Sequence, residues 1–130
     1  MKKRIYTGAP WEERVAYCRA LSAGNHAVVS GTTAVDENGE IIGEDMYSQS
    51  SFIFKKIQTA LQELGFSLTD VVRTRSFVTD INQFEGFAKA HREFFAGIDP
   101  VASCLEISGL VNDKLLIEVE VDAIKESSND

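Results

Sequence analysis

Proline and cysteine are scarce in this 130-residue chain, with two of each, and tryptophan occurs once. Cys18 and Cys104 are far apart and form no CxxC pair, so the sequence indicates neither a disulfide framework nor a cysteine-based metal site. His26 and His91 stand alone, without other metal-ligating residues at a recognisable spacing. No glycine motif of a nucleotide- or dinucleotide-binding type occurs. We therefore expect no metal ion and no organic cofactor.

An excess of basic charge is also missing. Thirteen Lys and Arg residues face twenty Asp and Glu residues, which gives a net charge of −7. Nucleic-acid binding depends on basic patches that contact phosphates, so we expect no nucleic-acid partner. No apolar run approaches the roughly 20 residues of a membrane-spanning helix, and the basic residues 1–4 are not followed by the apolar core of a signal peptide. These absences predict a cytoplasmic protein without a membrane partner.

The composition that is present is that of an ordinary globular domain. Hydrophobic residues make up 44% of the chain and charged residues 25%. The length fits one core, and no repeat divides the chain. We predict a single domain over residues 1–125 and a frayed polar tail over residues 126–130.

The hydrophobic pattern predicts the element order ββαβαββ. Apolar residues at helical spacing indicate one helix before Gly65 and a second helix after Asp80, which is expected to be its N-cap. Gly8 and Pro10 indicate an irregular segment over residues 7–13, and a further short strand is expected near Ile5. The predicted strands are 16–22, 26–32, 71–78, 101–108 and 115–124, and the predicted helices are 46–64 and 81–96.

Two helices can cover only one face of a sheet of five or six strands, so the chain is expected to be an α+β protein with one uncovered face. Strand alternation places charged side chains on that face. They are Arg73, Arg75, Glu106, Glu118, Glu120 and Asp122. The face is either exposed to solvent or buried between subunits, where arginine can pair with glutamate across neighbouring strands.

Short motifs follow one another along nearly the whole chain. They are VVSGT at 28–32, DENGE at 36–40, DVVRTRSFVTD at 70–80, FF at 94–95 ahead of Pro100, SCLEI at 103–107 and IEVE at 117–120. Together they are similar to the motifs of the Rid (reactive intermediate deaminase) or YjgF proteins. The resemblance implies a chorismate-mutase-like fold, a mixed sheet with two helices on one face, and a homotrimer with small-molecule pockets at the subunit interfaces.

The resemblance also implies a chemistry. In the deaminase branch of that family, the pocket holds an imine or enamine and speeds its hydrolysis to a keto acid and ammonia. Glu118 matches the glutamate that orients the attacking water, which makes it the candidate catalytic residue. The matching pocket-wall residues, taken as substrate-binding, are Tyr17, Ser30, Gly31 and Cys104.

The chain lacks one residue of the family's motif that is needed to bind a carboxylate substrate. Ala102 occupies the position of the arginine that grips the substrate carboxylate, and Ala88 replaces a common asparagine. A charge-assisted hydrogen bond of this kind contributes about 1.5–3 kcal/mol, and alanine contributes none. We therefore expect a divergent member that differs from a standard 2-imino acid deaminase, with neutral or cationic ligands favoured. Arg73 and Arg75 remain candidates for binding a carboxylate, against the alternative of structural pairing.

Three functions stay open at this stage. The chain is an enzyme that hydrolyses a small imine or enamine, or a regulatory trimer that binds a ligand without chemistry, which the alanine at position 102 favours. An endoribonuclease or translation inhibitor is a third reading, and the acidic net charge weighs against it.

Overall fold

The computed structural model describes residues 1–126, so the predicted frayed tail lies outside them except for Glu126. These residues form six strands and three α-helices. The strands are β1 Lys2–Ile5, β2 Ala20–Ala23, β3 His26–Thr32, β4 Val71–Val78, β5 Val101–Glu106 and β6 Ile117–Ile124. The helices are α1 Pro10–Val15, α2 Met46–Glu63 and α3 Phe84–Phe95. None of them is both long and apolar enough to cross a membrane.

The six strands form one mixed sheet in the order β1-β2-β3-β6-β4-β5. Neighbouring strands are antiparallel except β4 and β5, which are parallel. A parallel neighbour requires a crossover connection, and α3 supplies it. The predicted α+β class and the mixed sheet with two long helices are confirmed, and the sheet has six strands where five or six were predicted.

The core lies between the sheet and the helices α2 and α3. Every second side chain of β6 is fully buried there, from Ile117 to Ala123. Glu118, Glu120 and Asp122 point to the other face of the sheet and are half-buried. On α2, Ile53, Phe54 and Ile57 have no exposed surface. Apolar residues at every second position of the strand and at every third or fourth position of the helix predict this packing. The same alternation in β6 places Glu118 on the face away from the helices.

The prediction for residues 7–22 is wrong in part. Residues 10–15 form α1, and β2 begins only at Ala20. Pro10 stands at the first helical position, where its missing N–H costs nothing, so it starts a helix here instead of breaking one. Ala16 then ends the helix in a left-handed conformation, with φ of 72°.

The other bounds shift by smaller amounts. Asp80 caps a short 3-10 turn at Ile81–Gln83, accepting a hydrogen bond from the Asn82 N–H at 3.0 Å, and α3 follows the turn. The last two strands are shorter than predicted, since residues 107–108 and 115–116 lie outside them.

Glu106 was predicted to lie on the uncovered face, and this is wrong. The parallel register sets Glu106 beside Val78, which is fully buried under the helices. Accordingly, the Glu106 carboxylate accepts a hydrogen bond from the Ile81 N–H at 2.8 Å, on the helical side. Alternation within β5 shows which of its side chains share a face. It does not show which face of the sheet that is, because this depends on the register with the partner strand.

Candidate functional site

Glu118 lies on the uncovered face of the sheet, directly against Gly31. The pairing of β3 with β6 is irregular between Val29 and Thr32, and this irregularity brings Gly31 under the glutamate. A Cβ atom added at Gly31 would lie 2.8 Å from the Glu118 Cδ atom, closer than side chains tolerate. Glycine at position 31 therefore makes room for the carboxylate.

The surroundings of Glu118 favour its neutral form more than water does. Burial raises the pKa of this carboxyl, the Arg19 guanidinium lowers it, and the charge of Glu120 raises it. The net direction is upward. A carboxyl with a raised pKa is better suited to exchange protons near neutral pH than an exposed one.

The segment from Tyr17 to Arg19 forms the wall beside this glutamate. The Ser30 hydroxyl donates to the Cys18 carbonyl at 2.7 Å, and the Ser30 N–H donates to the Arg19 carbonyl at 2.9 Å. The Tyr17 ring lies 5.7 Å from the Arg19 guanidinium. We call Tyr17, Arg19, Ser30, Gly31 and Glu118 the Glu118 cluster.

An open cleft adjoins this cluster on the uncovered face. It has a volume of about 640 Å³ and is lined by Tyr17, Cys18 and Ser30 together with the acidic residues Glu120 and Asp122. Of the predicted site residues, the structure thus brings together Tyr17, Ser30, Gly31 and Glu118.

Arg19 is a member of the cluster that the sequence reasoning missed. Only 8% of its surface is exposed, and its Nη1 donates to the Gly31 carbonyl and to the Thr32 hydroxyl, each at 3.1 Å. The only signal for it in the sequence is a basic residue within the apolar segment 16–22, directly before β2. The pattern predicts a short strand over that segment and does not distinguish its arginine.

Ala102 and Cys104 lie elsewhere. The register with Thr74 and Ser76, both fully buried, turns them toward the helical side of the edge strand β5. There they line a second cleft of about 550 Å³ between α3 and β5, which we call the α3–β5 cleft. Its other walls include Ala88, the position where the family's asparagine is replaced.

Cys104 is not set up as a nucleophile. Burial raises the pKa of its thiol. A reactive cysteine needs nearby positive charge that lowers the pKa, so this residue is better read as a neutral wall of the α3–β5 cleft.

The predicted site residues therefore do not all come together within one copy of the chain. Strand β4 lies between β6 and β5, so Glu118 and Cys104 are on strands roughly 10 Å apart at the usual spacing. Their side chains also point to opposite faces of the sheet. The Glu118 cluster and the α3–β5 cleft are two separate surfaces of the subunit.

Arg73 and Arg75 pair with acids of β6. The Arg73 Nε lies 3.7 Å from the Asp122 carboxylate, and the Arg75 Nη1 lies 3.4 Å from the Glu120 carboxylate. These pairs are cross-strand neighbours in the register. The geometry favours the structural alternative over substrate binding for both arginines.

Residues 1–126 contain no group of three or more His, Cys, Asp or Glu side chains arranged to hold a metal ion. The chemistry available at the Glu118 cluster is that of a carboxyl with a raised pKa, a guanidinium and a hydroxyl.

Comparisons with known proteins agree with the motifs. Residues 8–125 match the family model described as Endoribonuclease L-PSP. A RutC family protein of Pyrococcus abyssi is 35% identical over 96% of this chain and 98% of its own length. The 2-iminobutanoate/2-iminopropanoate deaminase of Salmonella typhimurium is 26% identical over 83% of this chain and 84% of its own length. A crystal structure of a YjgF/YER057c/UK114 family member from Mycobacterium tuberculosis is 35% identical, with a TM-score of 0.89 over 96% of this chain and all of that one.

Proposed function

The chain belongs to the YjgF or Rid family, also described as endoribonuclease L-PSP, and from this membership we propose that it hydrolyses a small imine or enamine in pockets between the subunits of a homotrimer. The reaction converts a C=N bond and water into a carbonyl compound and ammonia. One similar protein carries the name of an imine deaminase.

The separation of the two halves of the predicted site carries the proposal. The Glu118 cluster and the α3–β5 cleft face different directions in one subunit. A cyclic assembly can set the cluster of one copy against the cleft of the next, because each copy presents both surfaces once. Exposed apolar side chains on β5, among them Val101 and Leu105, favour burial of this edge against another copy.

In the proposed reaction, Glu118 handles the proton of the attacking water. Its carboxylate accepts a proton as the water oxygen bonds to the imine carbon. The proton is then returned to the nitrogen, which gives a carbinolamine. Glu118 next takes the hydroxyl proton of this carbinolamine and passes it to the nitrogen, so that the C–N bond breaks and a carbonyl compound and ammonia leave. The raised pKa of Glu118 suits both the uptake and the return of this proton.

The test is ammonia release from imines generated by an amino acid oxidase, measured with and without the protein. The wild-type protein is expected to accelerate release, and Glu118→Gln is expected to abolish the acceleration while the variant stays folded and assembled. Glu120→Gln is the matched control, because its carboxylate lies on the same face and is paired with Arg75. Undiminished turnover in Glu118→Gln would remove this residue from the mechanism.

A second candidate, a trimer that binds a small molecule without turning it over, is favoured by the alanine at position 102. It predicts saturable binding of small carbonyl or imine compounds without ammonia release from any of them. RNA cleavage, which the family's description names, is disfavoured by the net charge of −7.

A further inference from the structure

Arg19 is buried beside the Glu118 cluster and lines neither of the two clefts. Just 8% of its surface is exposed, and its Nε is sealed from solvent with no acceptor among residues 1–126. A small molecule in either cleft therefore does not reach the guanidinium. Any role of Arg19 at the site is exerted through the residues that it contacts.

Gly31 connects Arg19 to the Glu118 carboxylate. The Arg19 Nη1 donates to the Gly31 carbonyl and to the Thr32 hydroxyl, each at 3.1 Å. Against the same glycine, the Glu118 side chain fills the space that a Cβ atom would need. The pairing of β3 with β6 is irregular at this point, and an irregular stretch lacks part of the backbone hydrogen bonds that fix a regular strand. Arg19 therefore holds the stretch of β3 on which the carboxylate rests.

The groups around Glu118 act on its protonation in opposite directions. Burial, the largest effect, raises its pKa, the Arg19 charge lowers it, and the charge of Glu120 raises it. From β4, Phe77 lies opposite Glu118, and the neighbouring Arg75 is paired with Glu120 at 3.4 Å. The facing residues of β3 carry no charge. Among the described residues, Arg19 is thus the cation that acts on this carboxylate, and it does so without an ion pair.

The place of Arg19 is unfavourable for the folded chain, because it stands near a second cation. Burial first, and the Arg19 charge second, lower the pKa of Lys56 to about 8. The carboxylates of Glu12 and Asp36 act on Lys56 in the opposite direction, and within residues 1–126 neither forms an ion pair with Arg19. A guanidinium stays charged when it is buried, and a buried charge with only neutral acceptors costs free energy. A role at the site explains why the chain tolerates this cost.

We propose that Arg19 is the positioning residue of the Glu118 carboxylate: its guanidinium holds the irregular stretch of β3 on which the carboxylate rests and places a fixed positive charge near it. The inference rests on the proposed function and deepens it, since it names what keeps the proton-handling group in place and ionised. Glu118 has to begin the reaction as a carboxylate in order to take a proton from the attacking water. Burial and Glu120 oppose this state, and Arg19 favours it.

The first test is the pKa of Glu118 itself, from an NMR titration of its side-chain carboxyl carbon in the assembled protein, with Glu118→Gln to identify the signal. Arg19→Gln removes the charge and is expected to raise this pKa. Arg19→Lys keeps the charge and is expected to leave the pKa close to the wild-type value. Arg14→Gln is the control, since Arg14 is exposed on α1 and stacks on Trp11 at 5.0 Å, and it is expected to leave the pKa unchanged. A pKa of Glu118 that does not rise in Arg19→Gln overturns the proposal.

The second test is ammonia release measured against pH. Turnover falls as the pH drops through the pKa of Glu118, because the protonated carboxyl takes no proton from water, and in Arg19→Gln this fall is expected at a higher pH than in the wild type. Arg19→Lys lacks the planar fork that reaches two acceptors, so the stretch of β3 is held less firmly. Its kcat is expected to drop roughly tenfold, with KM and the pH profile unchanged, because Arg19 touches no ligand.

Should Arg19→Gln fail to fold, the kcat of Arg19→Lys decides the matter. A wild-type kcat in Arg19→Lys overturns the proposal, because the irregular stretch would then need no guanidinium. A loss confined to KM overturns it as well, because it would mean that Arg19 acts on the ligand and not on Glu118.

The NMR titration requires no turnover, so the two proposals fail separately. A pKa of Glu118 that rises in Arg19→Gln, in a protein that releases no ammonia from any imine, rejects the proposed chemistry and keeps the role of Arg19. Ammonia release that depends on Glu118, with a pKa and a kcat that neither Arg19 variant changes, rejects the role of Arg19 alone.

Discussion

The contact between Gly31 and Glu118 is the tightest constraint in the candidate site. Gly31→Ala places a methyl group 2.8 Å from the Glu118 Cδ, and the carboxylate must move away. The backbone at position 31 is not in the left-handed region, so the alanine itself is tolerated. We expect a folded, assembled protein with turnover reduced by roughly 10- to 100-fold, because displacement by about 1 Å costs this much in an organised site.

The comparison for this prediction is Gly109→Ala, measured in the same ammonia-release assay. No atom lies within 4 Å of the added methyl group at position 109, so turnover is expected to remain at the wild-type level. Equal loss in both variants, or none in Gly31→Ala, would show that the position of the Glu118 carboxylate is unimportant.

Individual residues differ in how well the sequence predicted their surroundings. Alternation in the last strand fixes the face of Glu118, the motif resemblance points to Ser30 and Gly31, and the three residues meet in the structure. Cys104 lies in an edge strand with only one partner, and its direction follows from the parallel register with β4. The importance of Arg19 depends on which acceptors its side chain reaches, and a linear pattern does not contain that information.

At the level of elements, Lys56 links α2 to the loop that follows β3. Its ammonium donates to the Val35 carbonyl at 2.8 Å and to the Thr33 carbonyl at 3.3 Å. Burial first, and the nearby Arg19 charge second, lower the pKa of Lys56 to about 8, against the opposite effect of the carboxylates of Glu12 and Asp36. This long-range attachment holds the loop beside the Glu118 cluster.

The lowered pKa predicts a stability change with pH. Between pH 8 and 10.5 the unfolded chain keeps the Lys56 proton that the folded chain has lost, so the free energy of unfolding rises with pH through this range. Lys56→Gln lacks this contribution. We expect the free energy of unfolding of the wild type minus that of Lys56→Gln, from urea unfolding, to become more positive from pH 7.5 to pH 9.5.

Lys55→Gln is the control for this measurement, because Lys55 is the adjacent exposed residue on the same helix. Its difference from wild type is expected to stay constant over the same pH range. A constant difference for Lys56→Gln as well would mean that the ammonium is not desolvated in the folded protein.

Elements with a strong period were predicted closely, and short ones were not. The bounds of β3 and β4 agree with the sequence, and α2 differs by one residue at its end. The six-residue helix α1 has too few turns to show a hydrophobic period, and Gly8 and Pro10 favour an irregular segment at this point in the sequence. The phase of β5 could not be derived from that strand, because it is set by pairing with β4 across the α3 crossover.

On the scale of the whole molecule, the uncovered face is the feature that one subunit leaves unexplained. It carries ion pairs between β4 and β6 beside exposed apolar side chains, including Val28 at 45% and Leu105 at 54% exposure. A polar seam with apolar neighbours is typical of a subunit interface. Sedimentation of a lone protomer at working concentration would contradict the proposed homotrimer and the shared pocket with it.

A shared pocket predicts that two inactive variants restore each other. Glu118→Gln disables the cluster, and Ala102→Trp fills the α3–β5 cleft, which belongs to the neighbouring subunit in the proposed assembly. Equal amounts of the two variants are unfolded together and reassembled. A pocket is then intact only if an Ala102→Trp subunit supplies the Glu118 cluster and a Glu118→Gln subunit supplies the α3–β5 cleft. Random assembly gives this combination in about one pocket of four, so the mixture should recover about a quarter of the wild-type ammonia release. Each variant reassembled alone should remain inactive, and a mixture no more active than its components would contradict a pocket shared between neighbouring subunits.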